Sequence, residues 1–380
     1  MNTTAQPELA PETEFDVTDE LTEEACRLHD AAVAAYGAGS GDAAEQMFCR
    51  AITLFEQAAD ADVCSLADLA AALGNLGAVY EARCAYLQAE ECYARAAAIA
   101  AELEDGGAED VTHLRLQALS NYGRILRTQG RYAQAEPLIR RALAFAESWF
   151  GVTSLPTAWA LNELGMFGKF AGRFEEAEAC YRRALTILER HYGDACLEAA
   201  SLYHNLGGLE HARGRFAEGE PWARQSVVAR ERALGPEHPE VAADVAALAA
   251  LLDGQGKYEE AEQLYQRALA IFRCLHGEEH YEIAVNLNNL AALYQAQERF
   301  AESEEHYLRA LAIKEKIFDA ENVEIALTLN NLAVLYQAQG RHDRAAPLLR
   351  RALSIFERTL DAAHPYLLAC RENIAAQTTR

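Results

Sequence analysis

The chain has 380 residues, a formal net charge of −24 and 51% hydrophobic residues. The apolar share is ample for an extended core, while the acidic excess repels phosphate backbones and argues against general nucleic-acid binding. The longest apolar run, Val245 to Leu252, is far too short to span a membrane.

Residues 1–20 carry six acidic residues, two prolines and no Lys or Arg. Residues 1–19 are therefore expected to form an acidic disordered arm. The start, Met1-Asn-Thr-Thr-Ala-Gln-Pro, lacks a basic stretch followed by an apolar one, which predicts a cytoplasmic chain. From about residue 20 a repeat sets in, with Ala44, Ala89 and Ala135 spaced by 45 and 46 residues and a period of 42 thereafter. Ala-Leu recurs at Ala142-Leu143, Ala184-Leu185, Ala268-Leu269, Ala310-Leu311 and Ala352-Leu353, with Ser226-Val227 filling the gap. His238-Pro239, His280-Tyr281, Asn322-Val323 and His364-Pro365 keep the same beat. A fixed period of this length signals a stacked array of helical hairpins.

Each period is helical twice. Ile283, Leu287, Leu290, Leu293 and Tyr294 fall at three- and four-residue spacings, and Phe300, Tyr307, Leu308, Leu311 and Ile313 begin a second face. Gly130, Gly172, Gly214, Gly256 and Gly340 mark the break between them. Pro239 and Pro365 suit a helix start, and Pro137, Pro221 and Pro347 are placed in the first turn of the second helix. Hairpins are expected at residues 20–59, 66–103, 111–149, 154–192, 196–234, 238–276, 280–318 and 322–360, closed by a cap helix at 366–377. Repeat five is the weakest copy, with Glu210, Gly219 and Ser226 at apolar or alanine positions. Either drift or a specialised site accounts for it. The nine cysteines form no C-x-x-C pair and read as reduced, small apolar groups.

The spacing Leu290-Ala291, Tyr294, Phe300, Tyr307 and Ala310 resembles the tetratricopeptide repeat pattern. The units Leu287-Asn288-Asn289-Leu290-Ala291, Gly130-Arg131-Tyr132, Arg351-Ala352-Leu353 and His364-Pro365 resemble the lengthened, kinesin-light-chain-like form of that repeat. The resemblance implies an all-α, right-handed α-solenoid of about eight hairpins plus a C-terminal capping helix, over residues 20–380. It also implies a concave face that binds an extended segment of a partner protein.

On that face Asn75, Asn121, Asn205, Asn289, Asn331 and Asn373 occupy the position before the repeat's Leu. An amide donates and accepts, so this ladder can hold a peptide backbone or bond its own neighbours. Arg124, Arg127 and Lys169 beside Trp159 and Phe170 form a basic-aromatic cluster suited to an acidic peptide. Asn162, His204, Asn288 and Asn330 complete the candidate contacts, and Ala246 and Ala250 form a smooth trough for an apolar anchor. Phe15-Asp16-Val17-Thr18-Asp19 resembles an aromatic-acidic ligand, so residues 8–20 are a candidate intramolecular occupant as well as a solubilising tail. No phosphate loop, nucleophile elbow or H-E-x-x-H motif occurs, and His204 and His211 lack convergent ligands for a metal. The expected class is a non-catalytic protein-binding scaffold without metal, cofactor, membrane or nucleic-acid partner. A ligand-responsive sensor that changes shape on binding a short peptide is the alternative.

Overall fold

The structure is a computed structural model that describes residues 14–59, 63–83, 85–103, 109–193, 197–360, 362 and 364–378. Among these it contains 17 α-helices and no strand. They pair as eight hairpins: α1 (Glu14–Gly37) with α2 (Gly41–Ala59), α3 (Val63–Ala82) with α4 (Tyr86–Glu102), α5 (Glu109–Thr128) with α6 (Tyr132–Phe150), and α7 (Leu155–Phe170) with α8 (Phe174–Tyr192). The series continues with α9 (Leu197–Ala212) and α10 (Phe216–Leu234), α11 (Pro239–Gly254) and α12 (Tyr258–His276), α13 (Tyr281–Ala296) and α14 (Phe300–Ile317), and α15 (Val323–Ala338) and α16 (His342–Thr359). The cap is α17 (Pro365–Thr378). Helix α1 begins inside the stretch expected to be an arm; residues 1–13, and the side chains of residues 14–19, lie outside the described residues.

The chain divides into two compact units, residues 1–82 with 87–118, and residues 83–86 with 119–380. The first is held by a core of Phe48, Phe55, Leu69, Leu73, Leu76 and Val79. The second contains the repeats that carry the candidate site.

The recurring sequence markers each have a physical job. His238, His280 and Asn322 cap their first helices, accepting a hydrogen bond from the backbone N–H of Glu240, Glu282 and Glu324 at 3.3, 3.3 and 2.8 Å. Glu240 and Glu324 also complement the positive end of their helices. Gly165 is small because the ring of Tyr181 lies where a Cβ would stand, 2.5 Å from Cε1. In several repeats the basic residue after the turn ties its hairpin to the one before. Arg299 reaches Glu262 at 3.0 Å, Arg341 reaches Glu304 at 2.6 Å and Lys257 reaches Glu220 at 2.9 Å. Such exposed pairs contribute only about 0–1 kcal/mol each, so they set register more than stability. Pro137, Pro221 and Pro347 differ from expectation, lying one turn deeper than the first turn. The second helices start at the Tyr, Phe or His after the turn Arg, so each Pro is the sixth helical residue.

The second unit also meets itself across a long sequence separation. The His364 imidazole accepts from the Tyr366 N–H through Nδ1 at 3.2 Å. Its Nε2 therefore carries the proton and donates to the Phe170 carbonyl at 2.6 Å, a contact spanning 194 residues. Tyr132 stacks parallel to the same imidazole at 6.3 Å, and Tyr86 stacks on Phe318 at 5.3 Å. Gly130 backs onto Val323 and Gly172 onto Pro365, each so closely that an added Cβ would lie 2.8 Å away. The turns of repeats three and four thus form a seam with the loops before α15 and α17.

Near the seam the Glu282 carboxyl is pushed up to about 7, first by burial and then by the neighbouring Glu324. Glu324 is itself paired with Lys314 at 2.7 Å. A carboxyl raised in the folded state contributes stability that is present below its unfolded pKa, about 4.3, and lost as pH rises through the folded value. Glu282→Gln should therefore be more stable than the wild type at pH 8 and nearly equal to it at pH 4. Denaturant unfolding at the two pH values measures this, and a difference independent of pH would contradict the burial of Glu282.

Candidate peptide-binding face

The first helices α5, α7, α9, α11, α13 and α15 place equivalent residues at steps of 42. Because the stack repeats, one helical position becomes a column of side chains. The penultimate residues of these helices are Arg127, Lys169, His211, Asp253, Gln295 and Gln337. The cationic end of this column is compact. Arg127 stands 5.4 Å and Lys169 4.8 Å from the centroid of the Phe170 ring. Cation–π contacts of this kind contribute about 0.5–2 kcal/mol. Arg127 is only 7% exposed, lies 3.6 Å from Glu163, and has no hydrogen bond at Nε.

Lys169 sits against Gly208, whose missing Cβ leaves room for the ammonium; a Cβ there would stand 3.2 Å from Nζ. Burial, and then the charge of Arg127, lower the Lys169 amine to about 8. His211 is lowered by burial and by Lys169. Asp253 shows the mirror effect, its carboxyl pushed up by burial to about 6.

The sequence-derived candidates fall into three groups. Arg127, Lys169 and Phe170 come together as described, and Trp159 is 57% exposed. Arg124 donates to the Asn121 carbonyl oxygen at 3.1 Å. The asparagines bond one another between repeats: Asn205 donates to Asn162 at 2.8 Å, and Asn373 to Asn330 at 3.0 Å. Asn288 keeps a buried Oδ1 without a partner, and Asn289 is part-exposed. Asn331 lines a cleft of about 550 Å³ with Gln295, Tyr307 and Val334. Ala246 is buried at 8% exposure and Ala250 is part-exposed against the same core, so the trough is shallower than these alanines suggest.

Repeat five is specialised by polar packing. Gly219 makes room for Leu251, and Ser226 donates to the Ala200 carbonyl at 2.9 Å. Glu210 is held by Arg213 at 2.9 Å. Asp244 is fully buried between His204, at 2.7 Å, and Arg230, at 3.4 Å. His204 uses Nδ1 on Asp244 and remains 30% exposed, which leaves Nε2 for other contacts. Glu163, His211, Arg230, Asp244 and Asp253 were absent from the sequence-derived set. The 42-residue register itself could have found His211 and Asp253, since both share a column with Arg127 and Lys169.

Stacked helical hairpins that place one equivalent side chain per repeat in a common column define a helical-repeat protein. Tetratricopeptide repeats are recognised at residues 114–190, 198–273, 245–316, 282–358 and 324–376, so the chain belongs to the tetratricopeptide repeat family. No curated protein matches the chain. Among solved structures it is similar to a Rap protein complexed with Competence and Sporulation Factor, at 15% identity, over 82% of this chain and 88% of that one, with a TM-score of 0.60. It is also similar to BtubC (BKLC) from P. vanneervenii, at 25% identity, over 62% and 92% of the two chains, with a TM-score of 0.44. A Podosopora anserina kinesin light chain of nearly identical TPR-like repeats matches at 24% identity, over 54% and 98%, with a TM-score of 0.41. No helix among the described residues is long and apolar enough to cross a membrane.

Proposed function

We propose that the protein is a non-catalytic scaffold that holds an extended acidic segment of a partner protein across repeats three to six. The observation that carries this reading is Lys169. It is one of four lysines in the chain, and the other three, Lys257, Lys314 and Lys316, each meet a carboxylate. Lys169 has no carboxylate within ion-pair reach among the described residues, although the protein carries a net charge of −24. A half-buried cation that rests on a ring and has no carboxylate is incompletely compensated, and a ligand anion would complete it. Exposed Trp159 adds an aromatic surface of the kind that anchors interfaces, and part-exposed Asn289 and Asn331 offer donors and acceptors to a backbone.

The seam gives the second reading, a sensor, a specific basis. A ligand that fits the face better with the seam open or closed would shift that equilibrium. The Rap protein of similar fold is solved in complex with a factor, so a solenoid of this kind accommodates a ligand.

Trp159 supplies a direct test. Titrating an acidic-aromatic peptide, such as residues 8–20 of this chain, should change tryptophan emission in a saturable manner. The change should vanish in Trp159→Phe and persist in Trp149→Phe. A response insensitive to Trp159 would place the ligand elsewhere.

A further inference from the structure

The charge column is ordered along the stack. Reading from repeat three it runs Arg127, Lys169, His211, Asp253, Gln295 and Gln337, so cations occupy one end, one anion follows, and neutral amides close it. Mutual repulsion at the cationic end is visible in Lys169, lowered partly by Arg127, and in His211, lowered partly by Lys169. Asp253 is the counterpart two repeats beyond Lys169. Among the described residues no Lys, Arg or His lies within ion-pair reach of it, while its burial disfavours the charge. Both groups remain part-exposed, so a ligand can reach them. Other half-buried carboxylates meet cations: Glu220 pairs with Lys257 and Arg224, and Glu304 with Arg341 and Arg344. Lys169 and Asp253 place opposite charges at the same register position in repeats four and six, each without an ion-pair partner among the described residues.

We infer that the face selects a segment with a charge order: a carboxylate that docks at Lys169 and an ammonium or guanidinium that docks at Asp253. The inference rests on the groove reading above and narrows it: the acidic segment that docks at repeat four carries a basic residue where it crosses repeat six. Successive first helices lie roughly 10 Å apart, so two repeats separate the charges by about 20 Å. An extended chain rises about 3.3 Å per residue, which places the acidic and basic residues roughly six positions apart. Asp253 then acts as a specificity group, since a segment that is acidic throughout would bring a second carboxylate against it.

The test uses four blocked heptapeptides of serine and threonine. They carry Glu first and Lys last, Lys first and Glu last, Glu at both ends, or Glu first and Gln last. The full-length protein should bind one of the two mixed-charge orders about tenfold more tightly than the doubly acidic peptide, roughly 1.4 kcal/mol. Asp253→Asn should erase that preference, and Asp253→Lys should invert it in favour of the doubly acidic peptide. Circular dichroism and thermal unfolding establish that each variant is folded; Asp253→Asn, which conserves shape, carries the test if the lysine variant is not. A preference that survives Asp253→Asn overturns the inference alone, provided Lys169→Glu still weakens every acidic peptide. Binding indifferent to Lys169→Glu, or no binding by any of the four, overturns the groove reading and the inference together.

Discussion

Truncation after Leu360 should lower the stability of the protein by several kcal/mol and cause it to self-associate. The removed helix α17 buries Leu367 at 1% exposure and Cys370 at 0%, and the Tyr366 ring packs 6.4 Å from Phe356. Without it Leu349, Ile355 and Phe356 lose their cover. Each large apolar side chain returned to water costs about 1.5–3 kcal/mol, and a solenoid whose terminal face is uncapped offers that face to another copy. The truncation also removes the links from Asn373 to Asn330 and from the Gln337 amide to the Asn373 carbonyl, at 3.0 and 2.9 Å. Sedimentation and thermal unfolding of the truncated chain measure both effects. A monomer of unchanged stability would show that α17 does not act as the cap.

Alanine at Gly130 or Gly172 should be markedly more harmful than alanine at Gly214 or Gly256. All four glycines have positive φ, between 72° and 77°, so each substitution shares the left-handed backbone penalty of about 1–2 kcal/mol. The sites differ in what the new methyl meets. At Gly214 and Gly256 nothing lies within 4 Å, whereas at Gly130 and Gly172 the Val323 and Pro365 side chains lie 2.8 Å away. Relieving such overlap costs a further 1–3 kcal/mol, approximately. The excess at Gly130 and Gly172 therefore isolates the seam from ordinary turn chemistry. Four equal losses in denaturant unfolding would mean that the seam is open in solution.

Much of this architecture is written in the sequence because each repeat obeys the same local rules. The cap residues His238, His280 and Asn322, the turn glycines and the alanines at helix crossings recur at 42 residues, and each position has one physical task. Hairpin boundaries therefore followed closely from the period. The turn prolines were placed a turn too early because the second helix starts directly after the turn Arg, which a periodic apolar pattern does not mark. The seam was not legible: Gly172 and Pro365 look like any turn glycine and helix-start proline, and their meeting depends on curvature summed over several repeats. The candidate face was partly legible. Basic residues near Phe170 stand out in an acidic chain, but the asparagine ladder looks identical whether it holds a peptide or, as Asn205 and Asn162 do, a neighbouring helix. Asp253 escaped because an acidic residue in an acidic protein draws no notice until its lack of a partner is seen.

The most direct measurement is calorimetric titration of an acidic-aromatic peptide into Lys169→Glu and Arg183→Glu at two salt concentrations. Arg183 is a fair control because its guanidinium lies 2.6 Å from Glu147 and 3.1 Å from the Val152 carbonyl, away from the column. Reversal at Lys169 should weaken binding by about tenfold or more, whereas reversal at Arg183 should leave it nearly unchanged. Wild-type affinity should fall as the screening length shrinks from about 10 Å at 0.1 M salt to about 3 Å at 1 M. Equal affinities for the two variants would contradict the assignment of this face as the binding site.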